Sequence, residues 1–184
     1  NDNNISDCDF VILPSSIIAH ETELLTLSKL ENKKVFVTGI FANTFKEKYL
    51  KKHSIVIKNE SDIFFYNLDK NGKLNKEFLE ELFLNKESIN DFYETVSLDD
   101  LPYPDWGSYS KQYPLRNNFF SLKEKIAIPL LGTRGCPYSC FFYCTYPLQQ
   151  GRKVRARSVK NIVDEIKYWQ KELGTNKFVF RDPV

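Results

Sequence analysis

Cys136, Cys140 and Cys144 lie four residues apart in "TRGCPYSCFFYC", and they account for three of the chain's four cysteines. Thiolates this close favour a soft metal or disulfides, and the cytosolic setting expected for this chain disfavours disulfides. Zinc in a structural site takes four ligands, whereas Cys8, His20 and His53 all lie far away in sequence. A [4Fe-4S] cluster held by three thiolates keeps one iron open to chelate a small molecule, and reductive cleavage of S-adenosylmethionine (SAM) is chemistry that needs such an iron. Three cysteines packed as small hydrophobes in a partly buried loop is the bland alternative.

Two strands and a helix are expected to position this loop. Upstream, "KIAIPLLG" reads as a strand. Downstream, "SVKNIVDEIKYWQKELG" reads as a helix capped by Ser158, with Val159, Ile162, Val163, Ile166 and Trp169 on one face and Gly174 ending it. "KFVFRDPV" is the next strand, which completes one βαβ turn. The first hundred residues alternate in the same way. "CDFVIL" and "KKVFVTGIFA" read as buried strands either side of "ETELLTLSKLEN", followed by a helix near Phe45 to Leu50, a strand "SIVIK" and an amphipathic "ESDIFFYNL". Residues 69–93 carry Lys, Glu and periodic Leu and Phe, as one or two surface helices would. "SLDDLPYPDWGSYSKQYPLRNN" holds three prolines and no period, so a linker is expected over 97–118, between units at 1–96 and 119–184.

Composition limits the partners. A formal charge of +2 from 26 basic and 24 acidic residues gives no global case for nucleic acid or an anionic membrane, and 42% hydrophobic residues suffice for a core. No apolar run approaches the roughly 20 residues of a membrane span, so a cytoplasmic location is expected. The chain opens on Asn and contains no Met, as expected of a piece of a longer translation product.

"GTRGCPYSCFFYC" after a strand, then "RARSVKNIVDEI" and "FVFRDP", resembles the opening of the radical SAM barrel, and "DLPYPDW" resembles the linker that follows the cobalamin-binding domain in B12-binding radical SAM proteins. The resemblance implies an α/β chain: part of a Rossmann-like, flavodoxin-like cobalamin module, then the first units of a (β/α) barrel. It implies a [4Fe-4S] cluster on Cys136, Cys140 and Cys144, SAM, and cobalamin. It also implies Tyr143 on the SAM adenine and Asp182 on its ammonium. The usual spacing in the family has three residues and then two between the cysteines, whereas this loop has three and three.

Between loop and helix, "GRKVRARS" places Arg152, Lys153, Arg155 and Arg157, where a carboxylate or phosphate could be held. Arg155 and Arg157 share a face of an extended segment and are the preferred pair for SAM, against a solvated charge run as the alternative. Arg134 is a further candidate beside the loop. For cobalamin, the loops after the first three strands offer Ser15, Ser16, Thr38, Gly39, Asn59 and Glu60, all of which also suit ordinary caps and turns. His20 and His53 read as surface residues.

The function implied is reductive SAM cleavage to a 5′-deoxyadenosyl radical and, from methylcobalamin, methyl transfer to an unactivated carbon of a small-molecule or biosynthetic-intermediate substrate. An electron donor such as flavodoxin or ferredoxin would supply the reductant. The alternatives are an iron-sulfur electron-transfer module and a zinc-stabilised binding module.

Overall fold

The computed structural model of the chain describes residues 7–112, 127–140 and 144–183. It divides into two compact units, one within Asn1–Thr95 and Phe141–Gln150, the other within Val96–Cys140 and Gly151–Val184. Both are α/β with parallel pairing between their principal strands.

In the first unit, β1 (Phe10–Pro14), β2 (Lys34–Thr38) and β3 (Ser54–Val56) form a parallel sheet in the order β1-β2-β3. Alternation along β2 sends Val35 and Val37 to one face and Phe36 to the other. Leu27 and Leu30 at the end of α1 (His20–Lys29), Ala42 of α2 (Ile40–Thr44) and Tyr49 of α3 (Lys46–Tyr49) cover the valine face. The Phe36 face is covered by α4 (Ser61–Lys70), α5 (Lys76–Leu84) and a 3₁₀ helix over Lys86–Phe92. With helices on both faces, β2 is buried from Val35 to Thr38, as the inner strand of a parallel sheet requires.

Three expectations change here. "CDFVIL" reads as a fully buried strand, yet Ile12 of β1 is 55% exposed, because β1 pairs with β2 along one side only among the described residues. The region 69–93 is not simply surface: Leu82, Phe83, Ile89 and Phe92 are buried in the second layer. His20 and His53 are partly buried, with a ring nitrogen 2.9 Å from the Ile17 carbonyl and 3.1 Å from the Leu27 carbonyl respectively.

In the second unit, β4 (Ala127–Leu130) pairs in parallel with β7 (Lys177–Phe180), and α8 (Val159–Leu173) forms the crossover between them. A short antiparallel pair, β5 (Thr133–Arg134) with β6 (Arg155–Ala156), follows β4, and α7 (Tyr146–Gln150) falls between these two strands in sequence. Ser158 caps α8 by accepting from Asn161 N at 3.1 Å, and Gly174 ends it in the left-handed conformation, as the sequence predicts.

The predicted apolar face of α8 needs revision. Val159 is 78% exposed, and Trp169 and the carboxylate residue Glu165 are the buried positions. Glu165 is tolerated inside because Arg157 approaches it at 2.5 Å in an ion-pair contact. Trp169 packs with Ile128 and Leu130 of β4, and Tyr103 and Trp106 complete this core. The segment read as a linker thus contributes to the second unit through Tyr103 and Trp106 and begins α6 (Trp106–Gln112), while its 113–118 portion lies outside the described residues.

Candidate functional site at the cysteine loop

The base of the cysteine loop is a short lacing of two chain segments. Arg157 N donates to Gly132 O at 2.9 Å, Thr133 and Arg134 pair with Ala156 and Arg155, and Cys136 N donates to Gly151 O at 3.1 Å. Gly135, directly before Cys136, has φ +88°, and a Cβ there would collide with the Lys153 carbonyl oxygen. Only glycine combines that backbone conformation with so close an approach. The side chain of Arg152 adds a tie to the loop, with Nη1 donating to Ser139 Oγ at 3.1 Å and to Tyr138 O at 3.4 Å.

This lacing sets the exposure of the thiols. Cys136 is 4% exposed beside the lacing, Cys140 is exposed beyond it, and Cys144 is partly buried. The division between the two units falls between Cys140 and Phe141. Among the described residues, no three His, Cys, Asp or Glu side chains form a group that could hold a metal ion. In donor chemistry and spacing the three thiols still fit a soft metal centre.

The other predicted residues have varied surroundings. Tyr143 lies outside the described residues. Asp182, just past β7, accepts from the backbone N–H groups of Gly132 and Thr133 at 2.7 and 2.6 Å, both on Oδ1. Arg157 is held by its ion pair with Glu165, by Asn161 Oδ1 at 2.7 Å and by Leu131 O at 3.1 Å. Its guanidinium also lies 5.8 Å from the centre of the Tyr103 ring. Arg155 sits in β6, partly buried, whereas Arg152 and Lys153 are exposed. Arg134 is partly buried in β5.

Asp99 joins the same neighbourhood: its carboxylate accepts from Ser158 N at 2.8 Å and its carbonyl from Asn161 Nδ2 at 3.2 Å. Hydrogen bonds from the side chain and backbone of Ser158 hold the Asp99 carboxyl below its ordinary pKa. The negative charge suits the N-terminus of α8.

In the first unit, Ser15, Ser16, Thr38 and Gly39 come together at the carboxyl ends of β1 and β2. Ser15 N donates to Thr38 O at 2.7 Å and Ser15 Oγ accepts from Ala42 N at 2.8 Å. Gly39 has φ +101°, and a Cβ would stand 2.5 Å from Ser15 O. Ser16 donates twice to Glu23 Oε1, from N at 2.8 Å and from Oγ at 3.1 Å, while Tyr49 OH donates to Glu23 Oε2 at 3.1 Å. Burial first, and then the hydrogen bond with Glu23, push the Tyr49 phenol up to about 12. Asn59 follows β3 in the left-handed region, φ +55°, and Glu60 precedes α4 without capping it by its side chain.

Sequence reasoning missed Glu23 and Tyr49, which close the first loop, and the roles of Gly135 and Arg152 in the second. Gly135 has a readable signal, a glycine between Arg134 and Cys136. The pairing of Glu23 with Tyr49 spans 26 residues and has none.

No protein-family model matches the sequence. Over 64 residues, 35% of this chain, it is 42% identical to bacteriochlorophyllide d C-12(1)-methyltransferase of Chlorobaculum tepidum. Over 93 residues, 46% of this chain, it is 31% identical to cytidylyl-2-hydroxyethylphosphonate methyltransferase of Streptomyces wedmorensis. These matches span 14% and 16% of the two relatives' lengths. At that level the chain is similar to methyltransferases. No helix among the described residues is long and apolar enough to cross a membrane.

Proposed function

We propose that this chain is part of a cobalamin-dependent radical SAM methyltransferase, with Cys136, Cys140 and Cys144 as ligands of a [4Fe-4S] cluster. The observation that carries the reading is a three-thiol loop laced at the carboxyl end of a parallel strand, in a chain similar to two methyltransferases. Such a cluster, when bound with SAM, supplies one-electron reductive cleavage of its sulfonium. The residues of the chain do the positioning: Gly135 lets Cys136 turn inward, Arg152 holds the stretch between Cys136 and Cys140, and Arg155 offers a cation beside the loop for a carboxylate.

Cobalamin enters this reading through the resemblance of the sequence. The carboxyl edges of β1 and β2, where Ser15, Ser16, Thr38 and Gly39 meet, are the place where a ligand would be met, with the hydroxyls of Ser15 and Ser16 hydrogen-bonded inside the unit. The substrate is proposed to be a small molecule or biosynthetic intermediate, methylated at an unactivated carbon, with flavodoxin or ferredoxin as the class of electron donor.

The test is anaerobic reconstitution with iron and sulfide, followed by EPR of the reduced chain with and without SAM. The expected result is a [4Fe-4S] signal that changes on adding SAM and disappears when Cys136, Cys140 or Cys144 becomes Ala. A cluster indifferent to SAM would replace this reading with electron transfer. A colourless chain holding zinc without sulfide would replace it with a structural metal site.

A further inference from the structure

We infer that Asp182 is a positioning residue for the cysteine loop, acting through the backbone of Gly132 and Thr133. The consequence for cluster assembly rests on the proposed function, whereas the hold on the backbone does not. β4 ends at Leu130 and β5 begins at Thr133, so Gly132 sits in the break between two strands that belong to different sheets. A buried amide at such a break needs an acceptor, and the Asp182 carboxylate supplies one oxygen to two successive amides, at 2.7 and 2.6 Å.

The carboxylate also packs directly on the turn: a Cβ on Gly132 would lie 3.4 Å from Asp182 Oδ2. From Thr133 the chain has no slack before the first thiol. Arg134 is paired with Arg155, Gly135 abuts Lys153, and Cys136 N is bonded to Gly151 O. A displacement at Gly132 and Thr133 is therefore passed along a laced segment to Cys136. The carboxylate comes from the end of the neighbouring parallel strand, as Arg181 N continues the β7 ladder by donating to Leu130 O at 2.8 Å. Asp182 thereby couples the exit of one strand to the start of the loop that follows the other.

The experiment compares wild type, Asp182→Ala and Asp182→Asn by residue-resolved amide hydrogen exchange in the metal-free chain, and by iron and sulfide uptake on anaerobic reconstitution. Loss of the charged acceptor in Asp182→Ala is expected to speed exchange at Gly132 and Thr133 about tenfold or more. Asp182→Asn keeps an acceptor oxygen without the charge, so exchange there rises about threefold. Iron uptake falls severalfold in the alanine variant and is largely kept in the asparagine variant.

Unchanged exchange in both variants would overturn the inference, as would faster exchange in Asp182→Ala with undiminished iron uptake. If Asp182→Ala does not fold, Asp182→Asn decides: local acceleration supports the hold, and no change overturns it. A wild-type chain that takes up no iron is a failure of the proposed function, and the exchange data still decide whether Asp182 holds the turn. If only the EPR response to SAM is lost, in both variants and with exchange unaltered, Asp182 is a ligand-binding carboxylate and the positioning role is rejected.

Discussion

The loops after the first strand of each unit are held by the same device at very different sequence ranges. In the first unit Glu23 binds Ser16 from seven residues away, and in the second Asp182 binds Gly132 from fifty residues away. Each loop also leans on a glycine at positive φ, Gly39 against Ser15 and Gly135 against Lys153. The difference lies in what the carboxylate does besides. Glu23 closes on Tyr49 within the core, so its loop is a finished polar cluster. Asp182 anchors only the entry to its loop, on the amides of Gly132 and Thr133. The first carboxylate is satisfied by three donors from two elements, the second by two successive amides of one turn.

The largest effect that tests this comparison is expected at the buried ion pair of the second unit. Arg157→Ala leaves the nearly inaccessible Glu165 carboxyl without its partner, and should cost about 3–5 kcal/mol. Both tryptophans of the chain, Trp106 and Trp169, lie in this unit, so tryptophan fluorescence during urea unfolding reads it selectively. Joint replacement, Arg157→Met with Glu165→Met, should recover most of the loss. If the single variant costs less than about 1 kcal/mol, the pair does not hold the N-terminus of α8.

Next come the two glycines. Gly135→Ala and Gly39→Ala should each destabilise by about 2 kcal/mol or more, through left-handed backbone and collision with a carbonyl. The comparison is sharpened by iron uptake, which Gly135→Ala should abolish and Gly39→Ala should leave near wild type. Equal uptake by both variants would show that the lacing around Cys136 is not what presents the thiol.

A smaller effect separates the units by pH. The raised Tyr49 phenol adds stability that is complete below its ordinary value of 10.0 and is lost as the pH rises through about 12. The lowered Asp99 carboxyl adds stability above its ordinary value of 3.8, lost as the pH falls through its lower folded value. Tyr49→Phe should flatten the alkaline limb of a stability profile followed by far-UV circular dichroism, and Asp99→Asn the acid limb followed by tryptophan fluorescence. Either variant altering the opposite limb would contradict these assignments.

The smallest effect is chemical. In the metal-free chain, alkylation mapped by mass spectrometry should label exposed Cys140 faster than buried Cys136. Equal rates would mean that the lacing does not protect the first thiol.

Much of the fold follows from local pattern. Short apolar runs separated by helical periods, with Ser158 and Gly174 as end signals, suffice for α8 and for the parallel strands around it, because burial period and capping are properties of neighbouring residues. The three thiols are equally plain, since residue type and spacing are written in nine consecutive residues. Periodicity failed where a charge replaced an apolar residue inside. Val159 fits the stripe and is exposed, whereas Glu165 breaks it and is buried, because its partner Arg157 lies outside the helix that the pattern describes.

The sequence alone therefore determined the α/β alternation, the cap and stop of α8, and the three thiols with the chemistry they offer. Only the tertiary structure decided which carboxylates hold which loops. Asp182 reads equally well as a turn residue or a ligand until β7 is laid beside β4, and Glu23 reads as a helix-start acid until Ser16 and Tyr49 close on it. The physical reason is range: caps and periods act between residues a few positions apart, whereas an acceptor for an amide at a strand break is found only once distant chain has been folded against it.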